Sequence, residues 1–83
     1  MTMDGENAKP ARHLDLKGLK CPLPVLRANK AMRELDSGEV LEVEATDPAS
    51  AKDFETYCQT AGHALLTRDE SNGVYLFRIR KGG

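Results

Sequence analysis

The sequence has 83 residues, of which 40% are hydrophobic and 30% are charged. This length leaves room for one domain, and the composition is that of a folded chain rather than a disordered one. The formal net charge of −1 excludes the strong positive field of many nucleic-acid and membrane-binding proteins, and no apolar run reaches the ~18 residues of a membrane span.

The chain begins with a polar segment. We expect residues 1–12 to form a flexible tail and residues 13–83 to form the folded domain, because terminal segments are commonly disordered. The polar Met1–Pro10 has no apolar centre of the kind found in secretory signals. His13–Leu16 alternates polar and apolar residues, which predicts the first strand.

A helix and a second strand are predicted next. Apolar residues recur every three or four positions from Val25 to Leu35, which is the spacing of a helix. Gly38 is placed to end this helix as a left-handed residue just beyond it. Val40–Ala45 then alternates apolar and acidic residues, as in a half-buried strand.

The second helix is predicted to open at Asp47 and Pro48. Asp47 is a favourable N-cap residue, and Pro48 at the first helical position loses no hydrogen bond. The apolar stripe of this helix consists of Ala51, Phe54, Cys58 and Ala61. Gly62 is expected to end the helix.

Two strands joined by a tight turn complete the chain. Ala64–Arg68 and Val74–Arg80 are strand-like, and the Asn72–Gly73 pair between them is typical of a hairpin. The order β-α-β-α-β-β predicts an α/β two-layer sandwich, a mixed four-stranded sheet with two helices on one face. We expect the other face of the sheet to be partly solvated and to carry Glu42, Glu44, Arg78 and Arg80.

Cysteine usage points to a reducing compartment. The chain has only Cys21 and Cys58, whereas a disulfide scaffold of this size normally has four or more cysteines. We therefore expect a cytoplasmic protein with free thiols. The two cysteines with His13 and His63 do not have the spacing of a zinc site, so no metal and no cofactor are expected.

Cys21 lies directly before Pro22, with Pro24 two residues further on. Proline fits the first helical turn and pushes the preceding residue out of helical geometry, so Cys21 is predicted to be the N-cap. The helix macrodipole would then lower the pKa of the thiol. Three nearby cations would add to this effect: Lys17, Lys20 and Arg27. The alternative is that Cys21 is a small buried apolar residue.

The sequence limits the reactions open to such a thiol. A dithiol oxidoreductase needs a second cysteine at position 24, which is proline. A cysteine hydrolase needs a histidine base, and although His13 and His63 are present, 83 residues leave little room for a cleft. A single thiolate suits a carrier that accepts sulfur from a partner's persulfide and passes it on.

Three segments resemble the sulfur carrier family TusA, also described as SirA-like: GLKCPLPVLRANKAM, EVEATDPASAKDF and YLFRIRKGG. The similarity runs from about His13 to Gly83. It implies a sandwich like the C-terminal domain of bacterial translation initiation factor three, in a cytoplasmic protein. It also implies that Cys21 carries sulfane sulfur as a persulfide. The other motif residues would be Pro22, Pro24, Asp47 and Pro48.

The same resemblance implies the partners. A cysteine desulfurase or a rhodanese-type donor would supply the sulfur, and a downstream sulfur-relay protein would accept it. The sulfur would serve transfer-RNA thiolation, molybdenum-cofactor assembly or sulfur oxidation. We expect a monomeric sulfurtransferase-type carrier that contacts no membrane and does not bind nucleic acid directly.

Several residues have two interpretations. Asp47 either caps the second helix or lies near Cys21, since both follow strands at one edge of the sheet. The cations on the outer side of the first helix, Arg27, Lys30 and Arg33, either form a solvated face or bind an acidic partner. Lys20, just before the helix, is a further candidate for partner docking. Cys58 is predicted to be buried and inert. Gly82–Gly83 is expected to be a flexible end rather than the diglycine of a thiocarboxylate carrier.

Two functions compete with the carrier. In one, the C-P-x-P motif only caps a helix, and the domain is a non-catalytic regulatory module that binds RNA or protein. A pKa of the Cys21 thiol near the ordinary value of about 8.5 would favour this module. In the other, the protein senses oxidants by forming a Cys21–Cys58 disulfide, which burial of Cys58 would prevent.

Overall fold

The structure is a computed structural model that describes residues 9–82. Its four strands and two helices follow in the predicted order: β1 (Arg12–Asp15), α1 (Leu23–Met32), β2 (Val40–Ala45), α2 (Ser50–Ala61), β3 (Ala64–Ser71) and β4 (Val74–Arg80). The sheet order is β1-β2-β4-β3. Only β1 and β2 are parallel, and the other pairs are antiparallel. The predicted two-layer sandwich with a mixed sheet is confirmed.

One face of the sheet packs against both helices. Alternate residues of β2 point into this core, where Leu41, Val43 and Ala45 have no accessible surface. The ring of Phe54 on α2 lies 4.7 Å from the ring of Phe77 on β4, measured between centroids. The helices contribute Ala28, Ala31, Met32, Phe54 and Cys58 to the core.

The opposite face of the sheet carries paired charges, as predicted. Arg78 Nε donates a hydrogen bond to Glu42 Oε2 at 2.8 Å, and His13 Nδ1 lies 2.8 Å from Glu42 Oε1. Lys17 Nζ lies 3.0 Å from Glu44 Oε1. These pairs allow the charged residues of β2 to alternate with its buried apolar residues.

The N-terminal boundary differs from the prediction. Residues 1–8 of the predicted tail lie outside the described residues. Ala11 N donates a hydrogen bond to Val40 O at 2.8 Å, and Arg12 pairs with Leu41. The first strand therefore includes Arg12, which the prediction placed in the tail.

The first helix ends earlier than predicted. The last helical residue of α1 is Met32, yet Leu35 remains buried. Tight i→i+3 turns follow, with Glu34 N bonded to Ala31 O at 3.0 Å and Leu35 N bonded to Met32 O at 3.1 Å. Such turns keep an apolar residue facing the core after the helix has ended. Gly38 has a positive φ of 89°, but it lies beyond these turns rather than at the helix end.

The second helix begins later than predicted and ends as predicted. Its N-cap is Ala49, so Asp47 and Pro48 precede the helix. Gly62 ends it with a left-handed φ of 81°. The buried residues of α2 are Ser50, Phe54 and Cys58, whereas Ala61 is exposed.

The hairpin turn forms at the predicted pair. Asn72 and Gly73 both have positive φ, 53° and 80°, as a two-residue hairpin turn requires. β3 continues to Ser71 rather than ending at Arg68. Within residues 9–82, neither helix is long and apolar enough to cross a bilayer.

Candidate functional site around Cys21

Cys21 is an exposed free cysteine in the turn before α1. The N-cap of α1 is Pro22, and Pro24 lies within its first turn, so the prediction that Cys21 is the N-cap is wrong by one residue. The helix can begin at Leu23 because the missing N–H of Pro24 falls where helical N–H groups have no internal partner. The Cys21–Pro22 peptide bond is cis.

Asp47 lies next to Cys21 rather than capping α2. Its Oδ2 accepts a hydrogen bond from Cys21 N at 2.6 Å, while its Oδ1 accepts a longer one from Ala49 N at 3.4 Å. The parallel pairing of β1 with β2 brings the loops that follow them to the same edge of the sheet. The second of the two predicted roles of Asp47, proximity to Cys21, is the one observed.

Cys21 opens onto a groove between the two helices. With Pro22 and Val25 it forms one wall, and α2 forms the other wall with Lys52, Asp53, Thr56, Tyr57 and Thr60. The groove is open to solvent and has a volume of about 420 Å³. Tyr57 Oη donates a hydrogen bond to Asn29 Oδ1 at 3.2 Å, which ties α2 to α1 beside the groove.

The charge environment of Cys21 is the opposite of the predicted one. The Asp53 carboxylate raises the pKa of the Cys21 thiol by accepting a hydrogen bond from it, and desolvation and the negative charges of Asp53 and Asp47 act in the same direction. The expected nearby cation Lys17 instead pairs with Asp15 and Glu44. The free protein therefore favours the protonated thiol.

Asp53 was missed by sequence reasoning. It lies in the first turn of α2, where an acidic residue is common because it interacts favourably with the helix dipole. Nothing in its local sequence connects it to Cys21. The two residues meet only because α2 packs beside the start of α1.

The second thiol is inaccessible. Cys58 has 3% of its surface exposed, and burial raises the pKa of its thiol to about 11. The prediction that Cys58 is buried is confirmed. A disulfide between this buried thiol and the exposed Cys21 would require the core to open, so the structure gives no support to the redox-sensor alternative.

Neither histidine lines the groove, although the ring of His63 lies 5.5 Å from that of the lining residue Tyr57. His13 contacts Glu42 on the solvated face of the sheet. His63 Nδ1 accepts a hydrogen bond from Gly82 N at 3.0 Å, near the end of the described chain. Gly82 is thus held by this contact, while Gly83 lies outside the described residues.

The outer surface of α1 combines cations with exposed apolar side chains. Leu23 and Leu26 are 42% and 57% exposed. The predicted docking cations are all exposed as well: Lys20, Arg27, Lys30 and Arg33. We call Lys20, Leu23, Leu26, Arg27 and Lys30 the α1 surface.

Comparison with known proteins identifies the family. The family model described as Sulfurtransferase TusA matches residues 12–81. The chain belongs to the TusA family. It is 52% identical over 67 residues to a putative sulfur carrier protein of Neisseria meningitidis serogroup A, covering 81% of this chain and 90% of that protein. It is 46% identical over 70 residues to the sulfur carrier protein TusA of Allochromatium vinosum, covering 84% and 92%.

A solved structure supports the same assignment. The crystal structure of a SirA-like protein from Desulfitobacterium hafniense superposes with a TM-score of 0.76 and 30% sequence identity. The match covers 87% of this chain and 99% of that one. The TusA and SirA-like resemblance seen in the sequence is therefore confirmed, and membership in this family gives the chain a general role in sulfur transfer.

Proposed function

We propose that this TusA-family protein accepts sulfane sulfur as a persulfide on Cys21. The Cys21 Sγ attacks the terminal sulfur of a donor persulfide. A new S–S bond forms at Cys21, the donor's S–S bond breaks, and the donor leaves as a thiolate. The observation that carries the proposal is the contrast between the two thiols of the described chain, since Cys21 is exposed and Cys58 is buried.

The donor is a cysteine desulfurase or a rhodanese-type protein, and the acceptor is a downstream sulfur-relay protein. The α1 surface supports docking of such partners. Its exposed leucines offer apolar contact area, and its lysines and arginine suit an acidic patch on the partner. Pro22, Pro24, Asp47 and Pro48 fix the position of the thiol in this proposal. The chemistry needs a free thiol, so the proposed compartment is the reducing cytoplasm.

One observation favours the alternative function, a non-catalytic interaction module. The pKa of Cys21 is raised, as it would be for a cysteine with no catalytic role. The lowered pKa expected from the helix dipole is not found. Sulfur loading distinguishes the two functions, because a carrier is expected to load sulfur selectively at Cys21 and an interaction module is not.

The test is mass spectrometry after incubation with a cysteine desulfurase and cysteine. The wild-type protein is expected to gain one sulfur atom that reductant removes, and peptide mapping should place it on Cys21. Cys21→Ser should gain none, whereas the matched variant Cys58→Ala should load like the wild type. Equal labelling of wild type and Cys21→Ser would refute the proposal.

A further inference from the structure

Asp53 and Cys21 both line the groove between α1 and α2. Among the described residues that line the groove, Asp53 is the one carboxylate and Lys52 is the one cation. Asp53 lines the same groove as the Cys21 thiol, and its carboxylate raises the pKa of that thiol. An anionic group is thus built into the place that a sulfur donor must enter.

We propose that Asp53 restricts sulfur transfer to donors that bring a cationic side chain into this groove. The inference rests on the proposed function, because it concerns the reaction at the Cys21 thiol. Asp53 is in this view a specificity and positioning residue.

Three charged groups besides Asp53 bear on the thiol. Asp47, in the loop before α2, holds the Cys21 backbone N–H at 2.6 Å and adds negative charge. Lys52 lines the groove from α2, and Lys20 is the exposed neighbour of Cys21 in the chain. The pKa of Cys21 is raised first by the Asp53 carboxylate, then by desolvation and by the negative charges of Asp53 and Asp47.

The carboxylates affect both partners in the reaction. They disfavour the Cys21 thiolate, which is the attacking form. They also repel small persulfides that are anionic, such as glutathione persulfide. A cationic side chain of a docked donor would offset the carboxylate charge. The thiol proton then passes to solvent, Cys21 Sγ attacks the sulfane sulfur, and the departing donor thiolate takes a proton from solvent.

The first experiment measures the thiol without any sulfur transfer. Asp53→Asn keeps the side-chain shape and removes its charge, and Asp69→Asn removes one charge from an exposed residue of β3. At pH 7, iodoacetamide should alkylate Cys21 about fivefold faster in Asp53→Asn, the factor expected for unit charges about 4 Å apart in water. Asp69→Asn should react like the wild type. An unchanged rate in Asp53→Asn would overturn the proposal.

The second experiment compares two sulfur donors. Loading from glutathione persulfide should be about fivefold faster in Asp53→Asn than in wild type, whereas loading from a cysteine desulfurase with cysteine should not increase. The preference for the protein donor, defined as the loading rate from the desulfurase divided by the loading rate from glutathione persulfide, should therefore fall about fivefold. An unchanged preference would contradict the proposal even if both rates changed.

Two controls keep the outcomes separate. If circular dichroism shows that Asp53→Asn does not fold, Asp53→Ser is used in its place. The salt dependence of the alkylation rate of the wild type gives an independent measure of the carboxylate charge. High salt should accelerate alkylation by screening the carboxylates, and the lack of any such effect would count against Asp53. Wild-type protein that loads from neither donor would refute the proposed function, while the alkylation rates would still report on Asp53.

Discussion

Because Cys58 is buried, we expect the folded protein to lose stability at alkaline pH. Burial raises the pKa of the Cys58 thiol from 9.0 to about 11. Above pH 9 the unfolded chain releases this proton while the folded protein keeps it, so the free energy of unfolding falls by about 1.4 kcal/mol per pH unit. The loss attributable to Cys58 is absent below pH 9 and reaches about 2 to 3 kcal/mol at pH 11.

The variant Cys58→Ala isolates this effect. At pH 8 it should be less stable than wild type by about 1 kcal/mol, because a buried sulfur and its contacts are removed. It has no thiol to ionise in the unfolded chain, so its disadvantage should shrink above pH 9 and vanish near pH 10. Urea unfolding followed by circular dichroism at several pH values measures the difference.

A difference that stays constant from pH 8 to pH 10.5 would refute this reasoning. It would mean that the Cys58 thiol ionises in the folded protein as readily as in the unfolded chain. The core around α2 would then admit water, and burial could no longer explain the proposed selectivity of sulfur loading for Cys21.

Substitutions at two further positions test the elements that position the groove. Phe54 is fully buried against Phe77, so Phe54→Ala should lower the free energy of unfolding by about 3 to 5 kcal/mol, measured by urea unfolding. A loss below about 1 kcal/mol would contradict the packing of α2. Gly62→Ala should cost about 1 kcal/mol through its left-handed φ alone, since an added Cβ meets nothing within 4 Å. Gly62→Asn should cost less, and equal costs for both would count against this explanation.

The alternation of apolar and polar residues and the turn-forming Asn-Gly pair predicted the sheet well, because both signals depend on local sequence. The bounds of β2 and β4 agree with the prediction to the residue, and the Asn72–Gly73 turn forms where its residues favour it. The helix ends were predicted less well. The start of α1 was placed one residue early, and its end at Met32 was missed because the following tight turns keep Leu35 in the core.

The charge state of the site could not be predicted from the sequence. The prediction considered only groups near Cys21 in the chain, namely the helix dipole, the flanking lysines and Arg27. The dominant neighbour is Asp53, 32 positions away, which α2 brings to the groove. Asp47 was found because two strands that pair in parallel deliver their following loops to one edge. No comparable rule connects a residue inside a second helix to that edge.

The protonated state of the free thiol has a chemical advantage for a carrier. Oxidation and unspecific exchange proceed through the thiolate, so an exposed cysteine held protonated by carboxylates is protected until a partner arrives. A lowered pKa would make Cys21 reactive toward every disulfide and oxidant it met. In the proposed mechanism the cationic α1 surface attracts an acidic partner, and a cationic side chain of that partner, placed beside Asp53, then activates the thiol.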